Sequence, residues 1–184
     1  FPTNSLKYNL TWSVDGLINE YCHPCEAIRE GQNIEVLPLE GLEHFSLDGT
    51  EYEAFNTSGG LGTLCETLAG RVRHLDYKSV RYPGHQALMK LLLEELLLKH
   101  DQGTLRDIMR RAIPSTMQDV VLVFVTVSGM RRGMLVQEVF ARKYPDFNPF
   151  PFGRLGWVQT IVRSNLLAEP MVEGALVCKP GWPS

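Results

Sequence analysis

The segment Val120 to Val127 constrains this chain more than any other. It is a continuous, largely β-branched run that stops at Ser128-Gly129, and such a run predicts a strand buried on both faces. Met134 to Lys143 follows as its hairpin partner across a turn at Met130 to Gly133. A chain built around that pair needs further strands to extend the sheet and helices to cover it. With 184 residues, 44% of them hydrophobic, it is long enough for one ordinary domain with a continuous core, spanning residues 1–184.

The remaining segments supply those elements. Hydroxyl caps at Thr11 to Ser13 precede Val14, Leu17, Ile18, Tyr21 and Cys22, whose spacing is the apolar face of a helix. Pro24 should bend that helix, with Ala27 and Ile28 carrying it on to Gly31. Ile34 to Leu37, His44 to Leu47 and Glu51 to Phe55 read as strands, the last two joined by the hairpin turn Asp48-Gly49. Leu64 to Leu68 predicts a short helix, and Arg71 to Tyr82 a strand stopped by Pro83-Gly84. His85 to His100 predicts the clearest helix, Leu105 to Ala112 a second, and Trp157 to Leu167 a weaker one. Strands and helices segregated in this way indicate an α+β fold, an antiparallel or mixed sheet covered by helices on one face.

Composition removes several functions. The run Leu88 to Leu98 is interrupted by Lys90, Glu94 and Glu95, well short of the roughly 20 apolar residues of a spanning helix, so no membrane partner is expected. Basic residues number 18 against 21 acidic, a net charge of -3, which lacks the positive field of a nucleic-acid binder. Four cysteines are too few for a disulfide scaffold and point to a reducing, cytoplasmic setting. The start Phe1-Pro2-Thr3-Asn4 has neither an initiator methionine nor the features of a signal peptide, and reads as a piece of something longer.

Three motifs carry chemistry. Cys22-His23-Pro24-Cys25 has the CxxC spacing of redox and zinc sites, but no second pair accompanies it, so it reads as two small side chains on a bent helix and no metal site is expected. Asn56-Thr57-Ser58-Gly59-Gly60-Leu61-Gly62 is not a dinucleotide fingerprint, since no GxGxxG follows a parallel strand. Its backbone N–H groups and hydroxyls suit a carboxylate or phosphate; the alternative is a hydroxyl-capped tight turn. Arg81-Tyr82-Pro83-Gly84-His85 sets a fixed cation and an imidazole where a strand meets a helix, a good place for a site, although Pro-Gly also serves simply to stop the strand.

Leu10 to Tyr21 (LTWSVDGLINEY), Tyr52 to Leu64 (YEAFNTSGGLGTL) and Val80 to His85 (VRYPGH) together resemble the C-terminal domain of the saccharopine dehydrogenase family, over roughly residues 5 to 143 and in the family's order. The resemblance implies a parent oxidoreductase whose Rossmann domain binds NAD or NADP and whose second domain, this one, holds much of an amino-acid substrate pocket and a homodimer contact. Saccharopine reductases, lysine 6-dehydrogenases and carboxynorspermidine synthases of that family all move a hydride at a carbon bonded to nitrogen. The Rossmann half is missing from the 184 residues, so no cofactor-binding residue and no bound cofactor is expected in this chain. Fungal saccharopine reductases carry an arginine in the segment equivalent to Asn56 to Ser58, and this chain does not.

The expected pocket lies where the turn Asn56, Thr57, Ser58, Gly59 meets Arg81 to His85, with Arg81 and the helix N–H groups on a substrate carboxylate. His85 is the expected catalytic residue, orienting the amine or relaying a proton, and Trp12 and Ser13 close the side. The competing expectation is a non-catalytic dimerisation or amino-acid-sensing module derived from the same domain.

Overall fold

A computed structural model of the chain describes residues 2–10, 13–116, 120–145 and 160–166. Helix α1 (Val14–Cys22) begins where expected, because the Ser13 hydroxyl accepts from the Gly16 N–H at 3.3 Å and Asp15 occupies the first turn. The chain after Pro24 does not continue as helix. Cys25 to Arg29 is strand β1, turning through Glu30-Gly31 into β2 (Gln32–Val36), and Cys22 and Cys25 therefore sit on different elements rather than on one bent helix. The hairpin β3 (Glu43–Leu47) and β4 (Thr50–Asn56) forms across Asp48-Gly49, both with positive φ. Three hairpins of this sheet use the same device, with φ of 48° and 80° at Glu30-Gly31, 52° and 71° at Asp48-Gly49, and 51° and 76° at Arg132-Gly133.

Helix α2 (Leu64–Leu68) leads into β5 (Val72–Arg81), the strand on which the sheet is organised. One edge of β5 pairs with β1, at Ile28↔Leu75, and with β4, from Glu53↔Arg81 to Asn56↔Lys78. The other edge pairs with β8 (Thr160–Leu166), which lies antiparallel to β5 and parallel to β6 (Val120–Arg131). Strand β7 (Met134–Pro145) closes the hairpin with β6, so the sheet is mixed and runs β2-β1-β5-β8-β6-β7, with β4 and β3 branching from β5. Residues 160–166, within the expected helix Trp157 to Leu167, are thus a strand, while Trp157 to Gln159 and Leu167 lie outside the described residues.

The two faces of the sheet differ. Phe55 and Tyr77 point to the helices: Phe55 packs with Leu17, Ile18, Met89, Leu105 and Met109 of α1, α3 (His85–Lys90) and α4 (Gln102–Ala112), and Tyr77 with Leu61 and Cys65 beside α2. Ala54 and Val80, one residue out of phase, join Tyr52 and Leu122 in a cluster made of sheet residues alone. Helices on one face of an α+β sheet are the arrangement the sequence indicates. Its longest helix, however, is divided. After α3 the turns widen over Leu91–Glu95, Leu97 takes a left-handed conformation (φ 57°), and a single tight turn covers Leu98–His100 before Asp101 caps α4 by accepting from Thr104 N–H. Val120 to Val127 is likewise not buried on both faces: Val121 and Leu122 are buried, and Val123 to Val127 only half so. Among the described residues no helix is long and apolar enough to cross a membrane.

Candidate functional site

Arg81 is the last residue of β5, and its side chain points to the helix-covered face, where α1 lies across it. Its Nε donates to the Tyr21 hydroxyl at 3.0 Å and one terminal nitrogen to the Val80 carbonyl at 2.9 Å, while the other faces Glu20 Oε2 at 3.5 Å. The Tyr8 ring lies 5.2 Å from the guanidinium carbon, adding a cation–π contact. Arg81 is 4% exposed. Burial at this level is tolerable for a cation only because charge and hydrogen bonds are supplied from inside.

His85 extends the same chain of bonds. Its Nδ1 lies 2.6 Å from the Leu6 carbonyl, which can only accept, so Nδ1 carries the proton and Nε2 offers a lone pair. Tyr21, 3.0 Å from Nε2, then donates its hydroxyl proton to His85 while accepting from Arg81. The order is Arg81 to Tyr21 to His85 to Leu6, with each donor and acceptor assigned. Burial, then the Arg81 charge, pushes the His85 imidazole down to about 3, against the Leu6 carbonyl acting the other way. Burial also pushes the Tyr21 phenol up, with Arg81 opposing, and the Glu20 carboxyl up, again with Arg81 opposing. His85 is therefore neutral at physiological pH, with both ring nitrogens engaged inside the fold.

The first turn of α3 is held from the neighbouring strand. Gly84 has no side chain to cap it, and the buried Glu53 carboxylate of β4 accepts from the N–H groups of Gly84 at 2.7 Å and Gln86 at 2.6 Å. Two of the N–H groups at this helix start are thus engaged by an internal carboxylate.

The turn after β4 lies at the other end of the strand pair. Because Glu53 opposes Arg81 and Asn56 opposes Lys78, the turn begins about 10 Å along the strands from the Arg81 junction. Asn56 and Thr57 are buried. Asn56 donates to the Leu37 carbonyl at 3.2 Å, and the Thr57 and Ser79 hydroxyls share a bond at 2.7 Å. Ser58 donates its backbone N–H to the Glu20 carbonyl and its hydroxyl to the Asn19 carbonyl, capping the last turn of α1. Gly59 is exposed, and Gly60 passes so close over Tyr77 that a Cβ there would lie 2.1 to 2.2 Å from ring atoms.

The end of α1 therefore links the two expected halves: its backbone at Asn19 and Glu20 meets Ser58, and the side chains of Glu20 and Tyr21 meet Arg81 and His85. Ser13, at the other end of α1, is about 10 Å away along the helix axis. Trp12 lies outside the described residues. Among the described residues of that expected set, only Ser13, Ser58 and Gly59 offer surface to a ligand. Sequence reasoning missed Tyr8, Glu20, Tyr21 and Glu53 as members; Tyr21 occupies the helical face whose period was visible, with Glu20 its neighbour in the chain, and an arginine at a strand end beside such a face was the available signal.

The cysteine motif carries no reactive thiolate, since burial pushes the Cys25 thiol up to about 12 and the Cys22 thiol up as well. Among the described residues no three His, Cys, Asp or Glu side chains gather as a metal site. Comparison with known protein families matches residues 1–168 to the saccharopine dehydrogenase C-terminal domain.

Proposed function

Because this chain belongs to the saccharopine dehydrogenase C-terminal domain family, we propose that it is the substrate-binding and dimerising part of an oxidoreductase that uses NAD or NADP and acts on a C–N bond of an amino acid such as saccharopine or lysine. The match over residues 1–168 is the observation that carries this reading. The chemistry of the hydride belongs to a separate Rossmann domain, with a pyrophosphate-binding glycine turn that the 184 residues lack.

Within that enzyme the substrate reaches Ser13, Ser58 and Gly59, while Arg81, Tyr21 and His85 position the end of α1 behind them. Arg81 and His85 are then positioning residues rather than the carboxylate grip and proton relay their sequence context suggests. One experiment separates the roles: amine oxidation linked to NAD or NADP by the full reading frame, with Arg81→Lys and Arg81→Met variants. The positioning role gives a lowered melting temperature with KM for the amine little changed in the fraction that stays folded. A KM raised ten- to hundredfold at unchanged stability would make Arg81 a direct carboxylate ligand.

That the contacts of Arg81 lie inside the fold favours a second reading, a non-catalytic dimerisation or amino-acid-sensing module, because the exposed part of the site presents, among the described residues Ser13, Ser58 and Gly59, hydroxyls and backbone without a cation. A full-length protein that binds an amino acid but no nicotinamide nucleotide would select it. For the 184-residue chain alone, calorimetry with NAD and with NADP should give no heat of binding, and a low-micromolar Kd for either would overturn the assignment of the cofactor to another domain.

A further inference from the structure

The geometry points to a specific self-pairing of this domain: two copies join antiparallel along the outer edge of β7, with the two-fold axis at Phe140. Strand β7 is 12 residues long and, among the described residues, pairs as a strand with β6 alone. It carries exposed apolar side chains along its length, with Leu135 74%, Val139 55% and Phe140 46% exposed. A long, regular edge with exposed apolar side chains is a template for another strand, and its charged residues restrict which strand fits. The opposite end of the sheet, β2, has only 5 residues and offers far less.

Symmetry and charge then fix the register. Two copies of one strand pair antiparallel about an axis perpendicular to the sheet, and residues opposite each other must lie on the same face, so the axis passes through a residue and not between two. Glu138 and Arg142 lie on one face of β7 with Phe140 between them, opposite Val127, Val123 and Val125 of β6. An axis through Glu138 or through Arg142 would oppose like charges at the centre. An axis through Val139 sets Glu138 against Phe140, and one through Ala141 sets Arg142 against Phe140. With the axis through Phe140, Glu138 of each copy faces Arg142 of the other, Lys143 faces Gln137, and Phe140 faces itself. This register also engages Leu135 to Pro145, nearly the whole strand. Arg142 already lies over the Phe140 ring, 5.7 Å from its centroid, so the charge stands beside the axis before pairing.

The inference rests on the reading of the chain as a dimerising domain and adds the surface and the register. It is tested on the 184-residue chain by sedimentation and by oxidative cross-linking. Directly opposed residues in antiparallel strands have Cα atoms about 4.5–5.5 Å apart, within disulfide reach, so Phe140→Cys should give a cross-linked dimer under mild oxidation that dithiothreitol reverses and the parent chain does not form. Glu138→Arg and Arg142→Glu should each raise the dimer dissociation constant at least tenfold, and the double variant should recover most of that loss. A dimer that forms without cross-linking at position 140, or whose single variants are not rescued in the double, overturns this register and leaves dimerisation standing. A monomer at high micromolar concentration overturns dimerisation, and the register with it.

Discussion

The β4–β5 pair and the β6–β7 hairpin belong to one sheet, yet they are held in opposite ways. In β4–β5 most side chains are buried, and several polar ones are buried with assigned partners: Arg81 with Tyr21 and Glu20, Glu53 with the start of α3, Thr57 with Ser79, Lys78 with Glu43. In β6–β7 the backbone ladder is longer, 12 residues on each strand, but the side chains of β7 are mostly exposed. Backbone pairing is thus common to both regions, and the difference lies in what covers it. The first pair owes its rigidity to helices and buried polar bonds, whereas the second leaves most of the β7 side chains exposed.

Substitutions at the polar centre should show the difference most strongly. Arg81→Met removes the cation and leaves Glu20 buried beside it, which should cost about 3–5 kcal/mol in urea unfolding of the chain. If instead the loss stays under about 1 kcal/mol, the network is not what secures β5. Phe55→Ala, in the core between Tyr21 and the helices, should cost a similar 3–5 kcal/mol or so. At Gly60 a methyl group would meet the Tyr77 ring, so Gly60→Ala should destabilise by about 1–3 kcal/mol. Nothing lies within 4 Å of a Cβ at Gly59, where the cost is only that of its φ of 84°, on the order of 1 kcal/mol. Equal losses at the two glycines would show that the close approach to Tyr77 is not maintained in solution.

Acid should loosen the same centre first. His85 is held well below its ordinary value, so the unfolded chain binds its proton earlier than the fold does. Stability from this group is complete above about pH 6.5 and falls as the pH drops toward about 3, by at most about 1.4 kcal/mol per pH unit. Glu20, held above its ordinary value, acts in the other direction and offsets part of the loss where it titrates. His85→Gln should flatten the dependence measured by chemical unfolding between pH 4 and 6.5; an unchanged slope would place its origin elsewhere. The smallest effect belongs to the hairpin: Leu135→Ser, at an exposed position on β7, should change the stability of the isolated subunit by under about 0.5 kcal/mol.

The parts of this fold that were legible in the sequence are those whose cause is local. Ser13 announced α1, Asp48-Gly49 announced the β3–β4 turn, and Pro83-Gly84 marked the end of β5. Local cues misled where a distant partner decided the outcome. Ala27 and Ile28 fit a helical continuation, yet Glu30-Gly31 returns the chain so that β1 pairs with β2, and Ile28 pairs with Leu75. Thr160, Ile161 and Val162 are β-branched, but only the slot between β5 and β6 makes their segment a strand. The helix from His85 could not be seen to break, because its leucines keep their spacing through the widened turns of Leu91–Glu95. The site divides along the same line. Arg81 and His85 were recognisable as a junction, but their partners Tyr21 and Leu6 stand 60 and 79 residues away, and no local pattern encodes which acceptor an arginine will meet.

The position of β8 bears on how the molecule is made. The central strand β5 and the β6–β7 hairpin have no ladder with each other; β8 separates them, and its residues pair with β5 partners 81 to 94 positions earlier in the chain. During synthesis, therefore, the helix-covered body and the hairpin exist as two incomplete sheets until residue 166 is available, each with an open edge awaiting the same seven-residue strand. Closing loops of that length comes late and slowly, so assembly should be limited by the insertion of β8, with the hairpin aggregation-prone until then. A chain ending before Thr160 would keep the Arg81–Tyr21–His85 network and lose the strand that joins it to the β6–β7 hairpin.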